Sequence, residues 1–174
     1  MPLALPQMLL LAIFPAGVIA AALKDMVSFT IPNWISAALA VAFVPIALLV
    51  HMPVGEVGIS LGVGAAALVC GFAMFAVGWC GGGDAKLLAS AALWLGLPGL
   101  LTFLLATGVA GGALALGLIA ARKEGLLTSY AAAGPAWLGR LLQADGDLPY
   151  GLAIAVGALA AFPSSALIAV VTRA

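Results

Sequence analysis

The sequence predicts an all-α membrane protein, a bundle of six transmembrane helices in which the fourth helix is short. Of the 174 residues, 66% are hydrophobic and only 7% are charged. A soluble domain needs far more polar side chains to cover a surface that faces water. In lipid, every backbone polar group must be paired within the protein, so long apolar segments are expected to be helical. Residues 1–174 are expected to form a single integral membrane domain.

Six apolar segments account for the predicted helices, since about 20 apolar residues span the hydrocarbon core. They run from Met8 to Leu23, Asn33 to Val50, Val57 to Trp79, Ala85 to Leu97, Gly99 to Ala121 and Pro149 to Val171. Pro98 and Gly99 are expected to end the fourth segment early. A short helix preceded by glycines is typical of an element beside a cavity.

Proline and glycine patterns predict how some of these helices begin and pack. Pro32 and Asn33 are typical of a helix start, with Asn33 capping the second segment. Pairs of glycines four residues apart are suited to close helix packing in lipid. Such pairs are Gly58 with Gly62 and Gly108 with Gly112.

The basic residues predict the orientation of the bundle. If six helices alternate in direction, five of the six basic residues lie on one side: Lys24, Lys86, Arg122, Lys123 and Arg140. By the positive-inside rule that side is cytoplasmic, and both termini lie on the opposite side. The net charge of zero excludes nucleic acid as an expected partner, because phosphate binding needs a basic face.

The potential metal ligands are too few and too scattered to predict a metal site. Cys70 and Cys80 are ten residues apart, which is not the spacing of a zinc knuckle, and His51 is the one histidine. No metal and no other cofactor is therefore expected.

The segment Gly81-Gly82-Gly83-Asp84 is the strongest candidate for chemistry, because it interrupts a long apolar stretch. A carboxylate beside hydrocarbon is costly and usually functional. Three glycines permit unusual backbone angles and close approach of another chain. We expect Gly81, Gly82, Gly83 and Lys86 to form a loop that meets substrate. Lys86 either reaches the membrane interface or keeps Asp84 ionised by its charge.

A second carboxylate, Asp25, ends the first segment on the same predicted side as Asp84. Two carboxylates at one depth can share a proton, hold a water and protonate a departing amine, which is aspartic-protease chemistry. The alternatives are structural: Asp84 as an N-cap of the fourth segment, and Asp25 paired with Lys24 or solvated. The remaining carboxylates are expected to be solvated, with Glu56 on the opposite face and Asp145 and Asp147 in a polar loop.

Three motifs follow one another along the chain. They are Asp25 followed by Ile31-Pro32-Asn33, then Gly81-Gly82-Gly83-Asp84-Ala85-Lys86-Leu87, then Leu148-Pro149-Tyr150-Gly151-Leu152-Ala153-Ile154-Ala155 at the start of the last segment. In this order, and on a six-helix bundle, they resemble the type IV prepilin peptidase family, the GxGD intramembrane aspartyl proteases. The resemblance covers about residues 10–160, most of the chain.

The resemblance implies that Asp25 and Asp84 are the catalytic pair of a peptidase in the bacterial inner membrane. It implies cleavage after glycine, at the cytoplasmic face, of the leader of a pilin-like precursor whose apolar helix lies in the bilayer. Larger members also carry a zinc-binding cytoplasmic domain and N-methylate the product. The short connection between the first two segments leaves no room for that domain. The chain thus resembles the peptidase-only branch that serves Flp-type tight-adherence pili.

Two other functions are compatible with part of the pattern. The presenilin and signal-peptide-peptidase branch also has GxGD, but this chain lacks a Tyr before its first Asp and a Pro-Ala-Leu segment. From a different class, a small ion- or solute-coupled transporter subunit could use Asp84 and Lys86 beside a broken helix. The sequence does not identify the precursor or the oligomeric state.

Overall fold

The fold is built from helices alone in the part of the chain that the structure, a computed structural model, describes: residues 5–123, 134–143, 146 and 148–173. The helices are α1 Leu5–Ser28, α2 Asn33–Leu49, α3 Val54–Ala76, α4 Gly82–Lys123, α5 Ala136–Leu141, α6 Tyr150–Ala161 and α7 Ala166–Arg173, with a 3₁₀ turn, Phe162–Ser164, between the last two. The predicted all-α membrane bundle is thereby confirmed.

Four helical stretches among the described residues are long and apolar enough to cross a membrane. They are Leu11–Ser28, Val54–Ala76, Gly82–Arg122 and Tyr150–Thr172. Helix α2 is also apolar but has only 17 residues. At 1.5 Å per residue, the 41 residues of Gly82–Arg122 would be about 60 Å long, roughly twice the thickness of the hydrocarbon core. The count of six crossings stays a prediction.

Helix α4 is divided at Gly96, two residues before the expected break at Pro98. The backbone of Gly96 has φ 62° and ψ −170°, a region that is essentially restricted to glycine. A Cβ on Gly96 would also lie 2.9 Å from both Ser60 Oγ and Ala166 Cβ. Proline cannot donate an N–H to the preceding turn, so the irregular residue lies upstream of the proline and not at it.

The last predicted segment, Pro149 to Val171, is likewise interrupted. Helix α6 ends at Ala161, and the 3₁₀ turn that follows contains Pro163. The missing N–H of the proline explains the loss of regular α-helix at this point.

Helix α4 contacts α1, α2, α3 and α6, and most residues from 85 to 95 in its first half are buried. Trp94 is fully buried, and its Nε1 donates a 2.8 Å hydrogen bond to the carbonyl oxygen of Leu39 in α2. The Trp94 ring stacks on Phe14 of α1, with 5.3 Å between centroids. These contacts pack the end of the first half of α4 against α1 and α2.

Close packing between α3 and α4 depends on glycines other than those expected. A Cβ on Gly64 would lie 2.9 Å from Leu93 Cβ, and one on Gly71 would lie 3.0 Å from Ala85 Cβ. By contrast, a Cβ would meet nothing within 4 Å at any glycine of the two predicted pairs, Gly58 with Gly62 and Gly108 with Gly112. Spacing alone did not show which face of the helix meets a neighbour.

Candidate active site

Asp25 and Asp84 line one cavity, although 58 residues lie between them in the sequence. Asp25 is in the last two turns of α1 and is 5% exposed, while Asp84 is half-buried in the first turn of α4. The cavity has a volume of about 250 Å³. Its other lining residues are Phe29, Thr30 and Ile31 of the α1–α2 loop and Gly81, Gly82 and Gly83. The structure thus brings together the two carboxylates that the sequence analysis singled out.

Asp25 is held by the start of α6. The backbone N–H of Gly151 donates a buried 2.7 Å hydrogen bond to Asp25 Oδ2. Pro149, which is fully buried, occupies the N-cap of α6 and sets the position of the residues that follow. The contact of Gly151 with Asp25 was not predicted from the sequence. The signal was present, since Gly151 belongs to the Pro-Tyr-Gly motif.

The side chain of Asp84 turns back towards the glycines that precede it. Helix α4 begins at Gly82, so Asp84 lies inside the first turn and is not the N-cap that the sequence analysis weighed as an alternative. Asp84 Oδ2 accepts a 3.3 Å hydrogen bond from the N–H of Gly81. This is the backward half of a capping box, in which an acidic residue of the first turn accepts from the N-cap backbone. The positive end of the helix dipole also favours a carboxylate here.

The glycines before Asp84 allow this chain to pack against itself. A Cβ on Gly83 would lie 3.0 Å from Ile31 Cβ and 3.3 Å from the Ile31 carbonyl oxygen. The space that we expected to admit another chain is therefore filled, at Gly83, by the α1–α2 loop. The left-handed backbone angle in this connection is found at Gly78, with φ 77°, and at none of the three glycines before Asp84.

Lys86 contacts α2 and not the aspartates. Its Nζ donates a 2.8 Å hydrogen bond to Asn33 Oδ1. Residues two apart in a helix point in different directions, which separates Lys86 from Asp84. Helix α2 begins at Asn33 as predicted, but Pro32 is at the N-cap and no side chain caps the helix there. The expected capping role of Asn33 is wrong, because its side chain accepts from Lys86.

The α1–α2 loop lines the cavity and is itself contacted by the short helix α5. Phe29 has a left-handed backbone with φ 54°, and its N–H donates to the Asp25 carbonyl oxygen at 2.8 Å. Arg140 of α5 lies over the Phe29 ring, with Cζ 5.7 Å from the centroid, a cation–π arrangement. Arg122 of α4 donates to the carbonyl oxygens of Leu141 and Gly146, each at 2.9 Å. The described part of the α4–α6 connection is therefore attached to the bundle.

The remaining candidate residues lie away from the two aspartates or outside the described ranges. Glu56 is in the first turn of α3, at the opposite end of that helix from the glycines before Asp84. Asp145 and Asp147 lie outside the described residues. Cys70 is exposed. Across the described part of the chain, no group of three His, Cys, Asp or Glu side chains could hold a metal ion.

Cys80 lies in the connection between α3 and α4, directly before the three glycines. Its Sγ lies 3.7 Å from the carbonyl oxygen of Gly71, to which it donates. Burial raises the pKa of the Cys80 thiol, and the negative charge of Asp84 raises it further.

Comparison with known proteins identifies the family. A model of the type IV leader peptidase family matches residues 12–116, more than half of the chain, and the match includes both aspartates and the glycines before Asp84. No curated protein and no solved structure matches the chain. The chain is a membrane-embedded protein that belongs to the type IV leader peptidase family.

Proposed function

We propose that the protein is an aspartyl endopeptidase that removes the leader of a pilin-like precursor, cutting after glycine at the cytoplasmic face of the bacterial inner membrane. The observation that carries the proposal is the shared cavity of Asp25 and Asp84, in a chain that belongs to a family of leader peptidases. Carboxylates on two different helices, both beside a cavity large enough for a peptide bond and a water, are suited to hydrolysis without a metal.

The hydrogen bonds at the two aspartates suggest how the reaction proceeds. The N–H groups of Gly151 and Gly81 engage Oδ2 of Asp25 and of Asp84, so these bonds leave each Oδ1 for water or substrate. One ionised carboxylate takes a proton from water as the water oxygen bonds to the scissile carbonyl carbon. The other, protonated carboxyl donates its proton to the carbonyl oxygen, which gives a tetrahedral diol. The first carboxyl then donates the proton that it took from water to the peptide nitrogen, while the second takes a proton from one diol hydroxyl. The C–N bond breaks to give a carboxylic acid and an amine, and the pair again holds one ionised and one protonated carboxyl.

The short α1–α2 connection supports the assignment to the peptidase-only, Flp-type branch. Helix α1 ends at Ser28 and α2 begins at Asn33, so only residues 29–32 connect them, and all but Pro32 line the cavity. A methyltransferase domain has no place in this connection. Hydrolysis is therefore the proposed activity, with no methyl transfer to the new amino terminus and no cofactor.

Exposed tryptophans support a site at the membrane–water boundary. Trp34 at the start of α2 is 66% exposed, and Trp79 just before the three glycines is 78% exposed. Tryptophan is enriched at membrane interfaces, where the ring meets the headgroups. The basic residues Lys24, Lys86 and Arg140 are predicted to lie on the same side of the bundle as this boundary. By the positive-inside rule, we propose that the boundary is the cytoplasmic one.

The experiment that tests the proposal is processing of a precursor in lipid vesicles that contain the purified protein. The probe is a short basic leader ending in glycine, followed by an apolar helix of about 20 residues. Asp25→Asn and Asp84→Asn should each slow cleavage by about 1,000-fold or more, because an amide can neither accept nor release the proton. Glu56→Gln is the matched control and should cleave as the parent does. Mass spectrometry of both products locates the cut bond.

Near-parental cleavage by either aspartate variant would remove that residue from the pair. A parent protein that leaves the probe intact, or a product with a methylated amino terminus, would contradict the proposed activity.

A further inference from the structure

We propose that an open groove between α2, α3 and α4 is the docking site for the apolar helix of the precursor, an inference that rests on the proposed function. The groove has a volume of about 480 Å³, roughly twice that of the aspartate cavity. Helices α2 and α3 each pack against α4 but hardly against each other, so α4 forms the floor of the groove. The walls include the exposed side chains of Ala37 in α2 and Ala65 in α3.

The groove begins where the aspartate cavity ends. Ile31 and Asp84 line the cavity, while Asn33 and Lys86, each two residues further along the chain, line the groove. The hydrogen bond between Lys86 and Asn33 crosses this end of the groove. The two spaces are therefore neighbours along α2 and α4, and a chain whose scissile bond lies beside Asp84 would enter the groove past this hydrogen bond.

The length of the groove sets how much of a helix it holds. Along α2 the lining residues run from Asn33 to Ala40, and along α4 from Lys86 to Leu93. Seven residues of helix rise about 10 Å, so the groove accommodates roughly the first two turns of a helix that enters from the cavity.

The lining favours a helix over a lipid chain as the occupant. Small side chains, such as those of Ala37, Ala40, Gly64 and Ala65, let two helix backbones approach closely in a bilayer. Ser36, which is 5% exposed, also lines the groove, and its Oγ has no hydrogen-bond partner within the described structure. The Oγ itself is buried, so it meets a helix in the groove only after the Ser36 side chain rotates. A backbone carbonyl of that helix would then accept its hydrogen bond, whereas a hydrocarbon chain offers no acceptor.

The test begins with tryptophans that fill the groove from exposed positions. Ala37→Trp and Ala65→Trp should each reduce processing of the leader–glycine–helix probe in vesicles by about tenfold or more, chiefly through a higher KM. The matched controls are Ala38→Trp and Ala66→Trp, one residue away on the same helices, exposed and outside the groove lining. They should process the probe within about twofold of the parent. Equal processing by the groove variants and their controls would overturn the proposal.

Photo-crosslinking keeps the proposal testable if a tryptophan disturbs folding. A photoreactive benzoylphenylalanine replaces Ala65 or, as the control, Ala66 in the Asp84→Asn protein, which binds the probe without cutting it. We expect a crosslink from position 65, mapped by mass spectrometry to about the first two turns after the scissile glycine, and none from position 66. Crosslinks to phospholipid only, or equal crosslinks from both positions, would overturn the groove assignment.

Processing by the parent protein separates the two proposals. If the parent cuts the probe but position 65 gives no probe crosslink, the groove assignment fails and the peptidase function stands. If the parent does not cut the probe, the proposed function fails, whatever position 65 contacts.

Discussion

The amide of Gly151 donates a 2.7 Å hydrogen bond to the carboxylate of Asp25, across 126 residues of sequence. The bond joins the first residues of α6 to the end of α1 and is buried. A Cβ on Gly151 would lie 2.9 Å from Asp25 Oδ2 and 2.9 Å from Ile31 Cδ1. Glycine at this position therefore allows α6 to approach the carboxylate. The Pro-Tyr-Gly motif thus serves to bring the N–H of Gly151 to Asp25.

Gly151→Ala should reduce kcat by about 100-fold, because the new methyl group displaces Asp25 from its hydrogen bond and misplaces a reacting group by a fraction of an ångström. The measurement is the rate of precursor cleavage at saturating probe. The control is Gly112→Ala in α4, where a Cβ meets nothing within 4 Å. Parental kcat in Gly151→Ala would show that α6 does not position Asp25.

Substitutions of Gly83 should reduce activity in order of side-chain size. Gly83→Ala forces Ile31 to move by a few tenths of an ångström, and we expect about tenfold slower cleavage. Gly83→Leu places a much larger side chain against Ile31. It should abolish cleavage and lower the free energy of unfolding by about 1–3 kcal/mol. Cleavage rate and thermal unfolding of each variant are the measurements.

The neighbours of Gly83 provide a graded comparison. Gly82→Ala should lose less activity than Gly83→Ala, because its Cβ would meet only the Phe75 ring, at 3.4 Å. Ala85→Leu is expected to be harmful as well, since Ala85 is buried and faces Gly71 of α3. If Gly83→Leu cleaves as fast as the parent, the contact with Ile31 has no part in shaping the cavity.

Alkylation of Cys80 should reveal the charge of Asp84. Because burial and the Asp84 charge both raise the thiol pKa, less thiolate is present at a given pH, and the reaction with iodoacetamide should reach half its maximal rate above the pH usual for a thiol. Asp84→Asn removes the negative charge, so the midpoint should move to lower pH. The measurement uses a Cys70→Ser background. A midpoint that does not respond to Asp84→Asn would show that the two groups do not interact.

Activity should survive metal removal. The proposed mechanism uses two carboxyl groups and a water, and the chain offers no cluster of ligands at metal-binding spacing. We expect cleavage in EDTA within about twofold of the untreated rate, the scatter expected when no bound group is lost. Loss of activity that zinc restores would contradict an aspartyl mechanism.

The fold class and the choice of Asp25 and Asp84 as candidate residues could be predicted from the sequence. Composition predicts a membrane protein, because a chain with so few charged residues lacks the polar side chains that the surface of a soluble domain needs. Asp84 was predicted to be functional because a carboxylate beside hydrocarbon is costly in free energy. The predicted direction of each helix placed Asp25 at the same depth in the membrane as Asp84. These inferences depend on local chemistry and on the order of segments along the chain, which a sequence contains directly.

The faces on which the helices meet, and the backbone groups that reach the carboxylates, are seen only in the folded bundle. All-apolar helices carry little periodicity, so the sequence could not distinguish Gly64 and Gly71, which contact α4, from Gly58 and Gly62. At the latter two, a Cβ would meet nothing within 4 Å among the described residues. The bonds from Gly151 to Asp25 and from Lys86 to Asn33 join residues 126 and 53 positions apart. Backbone donors leave no trace in side-chain patterns, and contacts at such separation depend on how helices pack, so only the assembled bundle shows them.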